Sequence, residues 1–287
     1  MMRFLISLFA LAATQLSAAV AQDVRTGRFT LSDWPGPPLR VFYAEPAGED
    51  LHDAPVVIVM HGVNRNADDY RDNWIGLAEH YGLRVYAPEF TRRAFPGAAA
   101  YNLGRIGQEG VSSYAAIEPL FAAITQRGAA DGYILFGHSA GAQFVHRALL
   151  FEDMPHLLKA YSANAGWYTL PDQGSDWPYG LAGVPVSEDQ IAAWLGRPMT
   201  LLLGDADTDP DDPNLRRTPE ALAQGPHRFA RGLFFFQSAR AEAERLNAPL
   251  GWRVVTVEGV AHDNAGMAQA AAYLIDEEAR RRGSADD

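Results

Sequence analysis

Between residues 39 and 282, short apolar runs alternate with longer segments whose apolar positions recur at helical spacing. The runs are Leu39–Tyr43, Val56–Met60, Leu83–Ala87, Gly132–Phe136, Ala160–Ala163, Met199–Leu203 and Trp252–Val257. Several are rich in Val, Ile, Tyr and Phe, the pattern of strands covered on both faces. Helices are predicted over 66–81, 112–127, 140–152, 226–247 and 263–282; in the first, Tyr70, Trp74, Leu77 and Ala78 fall on one face. Strands alternating with helices predict an α/β fold: a mostly parallel central sheet with helices on both faces. In such sheets the ligand site lies off the carboxyl ends of the strands.

Trp167–Pro198 breaks this rhythm with prolines at 171, 178, 185 and 198 and one short helical candidate near Ser187–Leu195. So long an excursion between strands is usually a lid or binding loop. A Gly-rich loop, Thr91–Gly110, follows another strand end, and both loops can wall one cleft. No repeat or linker divides the chain, so residues 22–287 are expected to form a single domain.

The first residues supply a compartment. Arg3 is followed by an apolar stretch from Phe4 to about Leu16 and by Ala19-Val20-Ala21, the three parts of a cleavable export signal. Residues 1–21 are expected to be removed, and the product to be periplasmic or extracellular. No other stretch reaches the ~20 apolar residues of a membrane span, so no stable membrane insertion is expected after cleavage. The chain of 287 residues carries 24 Lys+Arg against 35 Asp+Glu, a net charge of −11. Loss of Arg3 would make it −12. That balance argues against nucleic acid, which selects a basic footprint. The absence of cysteine excludes disulfides, thiol nucleophiles and Cys-ligated metals.

The sharpest signal is Gly137-His138-Ser139-Ala140-Gly141, between an apolar strand and a helix-patterned run, Gln143–Leu150. This G-x-S-x-G in strand–turn–helix context is a nucleophile elbow. Side chains two residues either side of the serine would collide with the neighbouring strand and helix, so glycine stands at both places. A serine hydroxyl needs a base, itself oriented by a carboxylate, and in this architecture acid and base follow in that order. His262, after the Trp252–Val257 strand, is the candidate base. Asp205, Asp207 and Asp209 share the loop after Met199–Leu203; Asp207 is favoured because the loop must turn back toward His262 before presenting its carboxylate. His61 and His138 are expected to brace backbone, and the remaining histidines to be surface or helix residues. The alternating aspartates from Asp205 to Asp211 also resemble the start of an EF-hand loop. Pro210 and Arg216 at the positions that need Gly and Glu exclude that motif, leaving only a looser calcium site open. Donors for a developing oxyanion are expected from the N–H of Ala140 and, after the Val56–Met60 strand, the N–H of Val63.

With these residues in place, the sequence resembles the α/β-hydrolase superfamily over its mature length. The likeness is carried by His61-Gly62, the elbow, Gly204-Asp-Ala-Asp207 and Gly259-Val-Ala-His262. The segments HGVNRNADDYRDNW, GHSAGAQFVHR and GVAHDNAGMA look most like secreted esterases related to polyhydroxybutyrate depolymerases and feruloyl esterases. The resemblance implies a serine carboxylic ester hydrolase with a Ser139–Asp207–His262 triad, an acyl-enzyme and no cofactor. Its partner would be a small or oligomeric ester. The disulfides common in extracellular depolymerases are impossible here. Trp167, Tyr168 and Tyr101 are candidates to contact substrate at the cleft rim, with anchoring of the long loop the alternative for the first two. A peptidase or amidase using the same triad, or a non-catalytic binding protein on the same scaffold, are the competing readings.

Overall fold

In a computed structural model, which describes residues 23–48, 51–52 and 54–283, eight strands form one sheet in the order β1-β2-β4-β3-β5-β6-β7-β8. The strands are β1 (Val24–Leu31), β2 (Leu39–Pro46), β3 (Val56–Met60), β4 (Arg84–Glu89), β5 (Tyr133–His138), β6 (Leu157–Ala163), β7 (Met199–Gly204) and β8 (Trp252–Val257). Only the β1–β2 and β2–β4 pairs are antiparallel; from β4 to β8 every pair is parallel. The expected mostly parallel sheet is what forms. The export signal lies outside the described residues.

Alternation along the buried strands builds two cores. Val56, Ile58 and Met60 of β3 and Tyr133 and Leu135 of β5 face one layer; Val57, Val59, Ile134 and Phe136 face the other. The first layer is covered by α4 (Ile117–Thr125), α5 (Ala140–Phe151), α6 (Glu188–Gly196) and α8 (Arg228–Arg245). The second is covered by α1 (Ala67–Asp72), α2 (Ile75–Tyr81) and α9 (Asn264–Gly283). Two short helices, α3 (Gly97–Ala100) and α7 (Pro219–Gln224), sit in the connections.

Besides the short α3 and α7, for which no helix is predicted, the chain departs from expectation at β1 and at the first predicted helix. No strand is expected before Leu39, yet β1 pairs along its full length with β2. The single helix expected over 66–81 is two, because the chain turns at Asn73 and Trp74, with Trp74 N–H bonded to Arg71 O at 2.9 Å. That turn sets Trp74 fully buried, edge-on to Phe136 at 5.1 Å.

Helix α5 is buried from Ala140 to Leu150, so its polar side chains need internal partners. His146 Nε2 accepts the Thr169 N–H at 3.2 Å. Arg147 donates to Thr169 Oγ1 at 2.7 Å and lies 4.3 Å over the Trp167 ring. These bonds draw the 167–198 excursion down as a cover over α5. They also correct two sequence assignments. Trp167 is 5% exposed, and Tyr168 is fully buried, stacked on Phe235 at 4.5 Å with its backbone bonded to Gln224. Neither stands at a rim; both anchor the loop.

His61, His138 and His146 are all buried. Burial is the main cause that pushes His61 down to about 3, and His138 and His146 well below the usual imidazole value. Unfolding releases three imidazoles that take up protons below about pH 6.5 while the folded chain does not. Stability is therefore present above that pH and lost as pH falls toward the folded values, at roughly 1.4 kcal/mol per pH unit per histidine. Urea unfolding at a series of pH values is expected to show this steep acid loss, with His146→Gln lowering the slope by about a third. Stability unchanged down to about pH 5 would contradict it.

Candidate active site

Ser139 occupies the turn between β5 and α5 at φ 58° and ψ −116°, a region that costs a non-glycine residue about 1–3 kcal/mol. Its backbone is held by the Ser139 N–H to Ala163 O bond, 3.0 Å. The flanking glycines are required by contact. A Cβ at Gly141 would lie 2.0 Å from Met60 O, and one at Gly137 would lie 2.3 Å from Gly141 O. Strand, turn and helix thus approach at backbone distance, and the serine hydroxyl emerges at the carboxyl end of the sheet.

The loops after β7 and β8 bring two further side chains to it. His262 Nε2 lies 3.1 Å from Ser139 Oγ, and His262 Nδ1 lies 2.8 Å from Asp207 Oδ2. A carboxylate only accepts, so Nδ1–H donates to Asp207 and Nε2 is left to accept from the serine. Asp207 is buried, whereas the His262 side chain keeps 22% of its exposure. Between β5 and β7 lies β6, and the residue after it, Asn164, ties both loops together. Its Nδ2 donates to Ala261 O and its Oδ1 accepts the Gly204 N–H, each at 2.9 Å. Asp205, the first aspartate of the loop, accepts the Gly259 N–H at 2.7 Å, so it holds the histidine loop while Asp207 holds the imidazole. Asp209 accepts the Asp211 N–H at 2.8 Å within its own turn. Among the described residues no group of three or more His, Cys, Asp or Glu is arranged to hold a metal.

On the other side of Ser139 runs the loop after β3. A Cβ at Gly62 would lie 3.8 Å from Ser139 Cβ and 2.6 Å from Tyr70 Oη. This loop is braced from every direction. His61 Nε2 accepts the Phe90 N–H at 3.0 Å, Tyr101 Oη donates to His61 O at 2.7 Å, and Arg92 Nη2 donates to Val63 O at 2.9 Å. Arg65 donates to Phe90 O and Gly97 O and covers the Tyr101 ring at 4.2 Å. Tyr101 is therefore buried beneath the His61–Val63 loop, which corrects its assignment as a cleft residue. Asn102 is buried as well, bonded to Gln143 Oε1 at 2.9 Å. Val63 presents a half-exposed side chain at the surface, and Ala140 opens α5, where N–H groups have no intrahelical acceptor.

Tyr70 and Arg228, beside this cluster, are not singled out as site residues by sequence, and His138, expected to brace backbone, meets side chains instead. Tyr70 Oη lies 3.1 Å from His138 Nδ1, and the His138 ring packs 4.6 Å from that of His262. Arg228, at the start of α8, reaches Asp207 Oδ1 at 3.2 Å. A basic residue at a helix start carries no sequence signal that separates it from a surface residue.

No family model matches the chain, and no curated protein does. Solved structures do. The chain is 41% identical to poly(aspartic acid) hydrolase-1 from Sphingomonas sp. KT-1, with a TM-score of 0.83 over 87% of this chain and 97% of that one. It is 38% identical to LpqC, a poly(3-hydroxybutyrate) depolymerase from Bordetella parapertussis, with a TM-score of 0.81 over 87% and 89%. An S-formylglutathione hydrolase from Agrobacterium tumefaciens, 15% identical at a TM-score of 0.59 over 92% and 96%, shares the fold. Sheet order, elbow and these likenesses together make the chain a member of the α/β-hydrolase superfamily, in its polyhydroxybutyrate-depolymerase-like branch.

Proposed function

We propose that this protein is an exported serine hydrolase that cleaves carboxylic esters, small or oligomeric, through an acyl-enzyme on Ser139. The observation that carries the reading is the continuous hydrogen-bonded line from Asp207 through His262 to Ser139. The Ser139 proton passes to His262 Nε2 as Oγ bonds to the carbonyl carbon. The N–H groups of Val63 and Ala140 hold the oxyanion, each such donor being worth about 3–4 kcal/mol in acyl transfer. As the tetrahedral adduct collapses, His262 returns that proton to the departing alkoxide, leaving the acyl group on Oγ. Water then gives a proton to His262 and attacks the acyl carbon, and the carboxylic acid leaves as the proton goes back to Ser139 Oγ. Asp207 fixes the tautomer and stabilises the imidazolium throughout.

Export rests on the leader pattern of residues 1–21, and no described helix is long and apolar enough to cross a membrane. A second reading, amide cleavage with the same triad, is supported by the likeness to a poly(aspartic acid) hydrolase. The Arg92 guanidinium beside Val63 O is compatible with an acidic acyl chain.

Protein beginning at Gln22 is expected to hydrolyse short p-nitrophenyl esters and to turn over the matched p-nitroanilides at least about a hundredfold more slowly. Ser139→Ala is expected to lower kcat by about 10⁴-fold or more with unchanged melting. Wild-type turnover in Ser139→Ala would overturn the mechanism, and anilides cleaved as fast as esters would favour the amidase.

A further inference from the structure

The carboxylate of Asp207 is shared. One oxygen takes the His262 Nδ1–H; the other faces Arg228 Nη1 at 3.2 Å. The same Nη1 lies 3.0 Å from Asp212 Oδ2, and the Arg228 side chain is 2% exposed. Orienting an imidazole requires only the carboxylate. A buried cation on that carboxylate's second oxygen weakens its attraction for an imidazolium. A second carboxylate on the cation restores part of that attraction. Arg228 and Asp212 thus form a charge couple behind the triad, in a site screened little by salt.

Other groups around the imidazole are accounted for. From β5, His138 packs on the His262 ring and is held neutral by burial, with the charges of His262 and Arg228 adding to the effect. From α1, Tyr70 bonds to His138. Asp205 caps the Gly259 N–H, and Asp263, next to His262, accepts the Gly266 N–H. On α8, Arg231 donates to the backbone oxygens of Gly225, Gly166 and Arg216. The hydrogen bond from Arg228 holds the Asp212 carboxyl below the usual range.

We propose that Arg228 and Asp212 are positioning residues that set how readily the Asp207–His262 pair takes up a proton, and so set the acid limit of the reaction. This rests on the Ser139 hydrolase reading. Removing the cation favours protonated His262 and moves the acid limit up. Removing Asp212 leaves the cation uncompensated and moves the limit down. A role limited to anchoring α8, whose Phe229 N–H also bonds to Asp207 O at 3.2 Å, gives no such opposed pair.

The test is the second-order rate of fluorophosphonate labelling between about pH 4 and about pH 9, with melting curves to verify folding. Relative to wild type, Arg228→Met is expected to shift the acid limb up by about one unit and Asp212→Asn to shift it down by about half a unit. Arg228→Lys, which keeps the charge, is expected to stay near wild type. Should Arg228→Met fail to fold, Asp212→Asn and Arg228→Lys decide. Folded variants whose limbs coincide with wild type, or move in one direction together, would overturn the proposal. A wild-type protein that is not labelled at any pH would overturn the hydrolase reading and this proposal with it.

Discussion

At one point β3, β5 and α5 meet at backbone distance, and the rest of the site is arranged around that meeting. Gly141 rests on Met60 O and Gly137 on Gly141 O, so closely that neither position accepts a Cβ. Such contact forces the intervening Ser139 into its positive-φ turn and leaves its hydroxyl proud of the sheet. Because β5 is central, its neighbours deliver the remaining parts. The β3 side brings the His61–Val63 loop against the serine. On the other side β6 acts as a spacer, and Asn164 at its end bonds to both loops that carry Asp207 and His262.

Hydrogen bonding also distinguishes His262, the proposed base, from the other histidines. His61 and His146 each use Nε2 to accept a backbone N–H, and His227 uses Nδ1 for the Ala230 N–H at 3.2 Å. Burial keeps the first two neutral. His262 instead faces a hydroxyl through one nitrogen and a carboxylate through the other, with part of its ring reachable from solvent. Neutral His138 beneath that ring adds bulk without charge.

Where side chains are buried on both sides, the pattern in the sequence is strong. The bounds expected for β3, buried at every position, coincide with those found, and the elbow lies at the end of β5, whose residues are all buried. Weak patterns fail for physical reasons. Strand β1 is an edge strand whose VRTGRFTL sequence is mostly exposed or half-buried, so no apolar run marks it. The path of the 167–198 excursion is decided by buried Arg147 and His146, polar residues that in sequence read as an ordinary helix face, and Trp167 and Tyr168 follow it inward. Asp207 was legible from loop direction, but Arg228, 21 residues further on, meets it only through the packing of α8.

The central claim is that Ser139 Oγ forms a covalent bond during turnover. Intact-mass and peptide mass spectrometry of protein from Gln22, treated with a fluorophosphonate and separately acid-quenched during turnover of a slow ester, tests it most directly. The expected result is one phosphonyl adduct and one acyl adduct, both on the peptide containing Ser139 and both absent from Ser139→Ala. Ester turnover with unmodified Ser139, or adducts on another residue, would contradict the account.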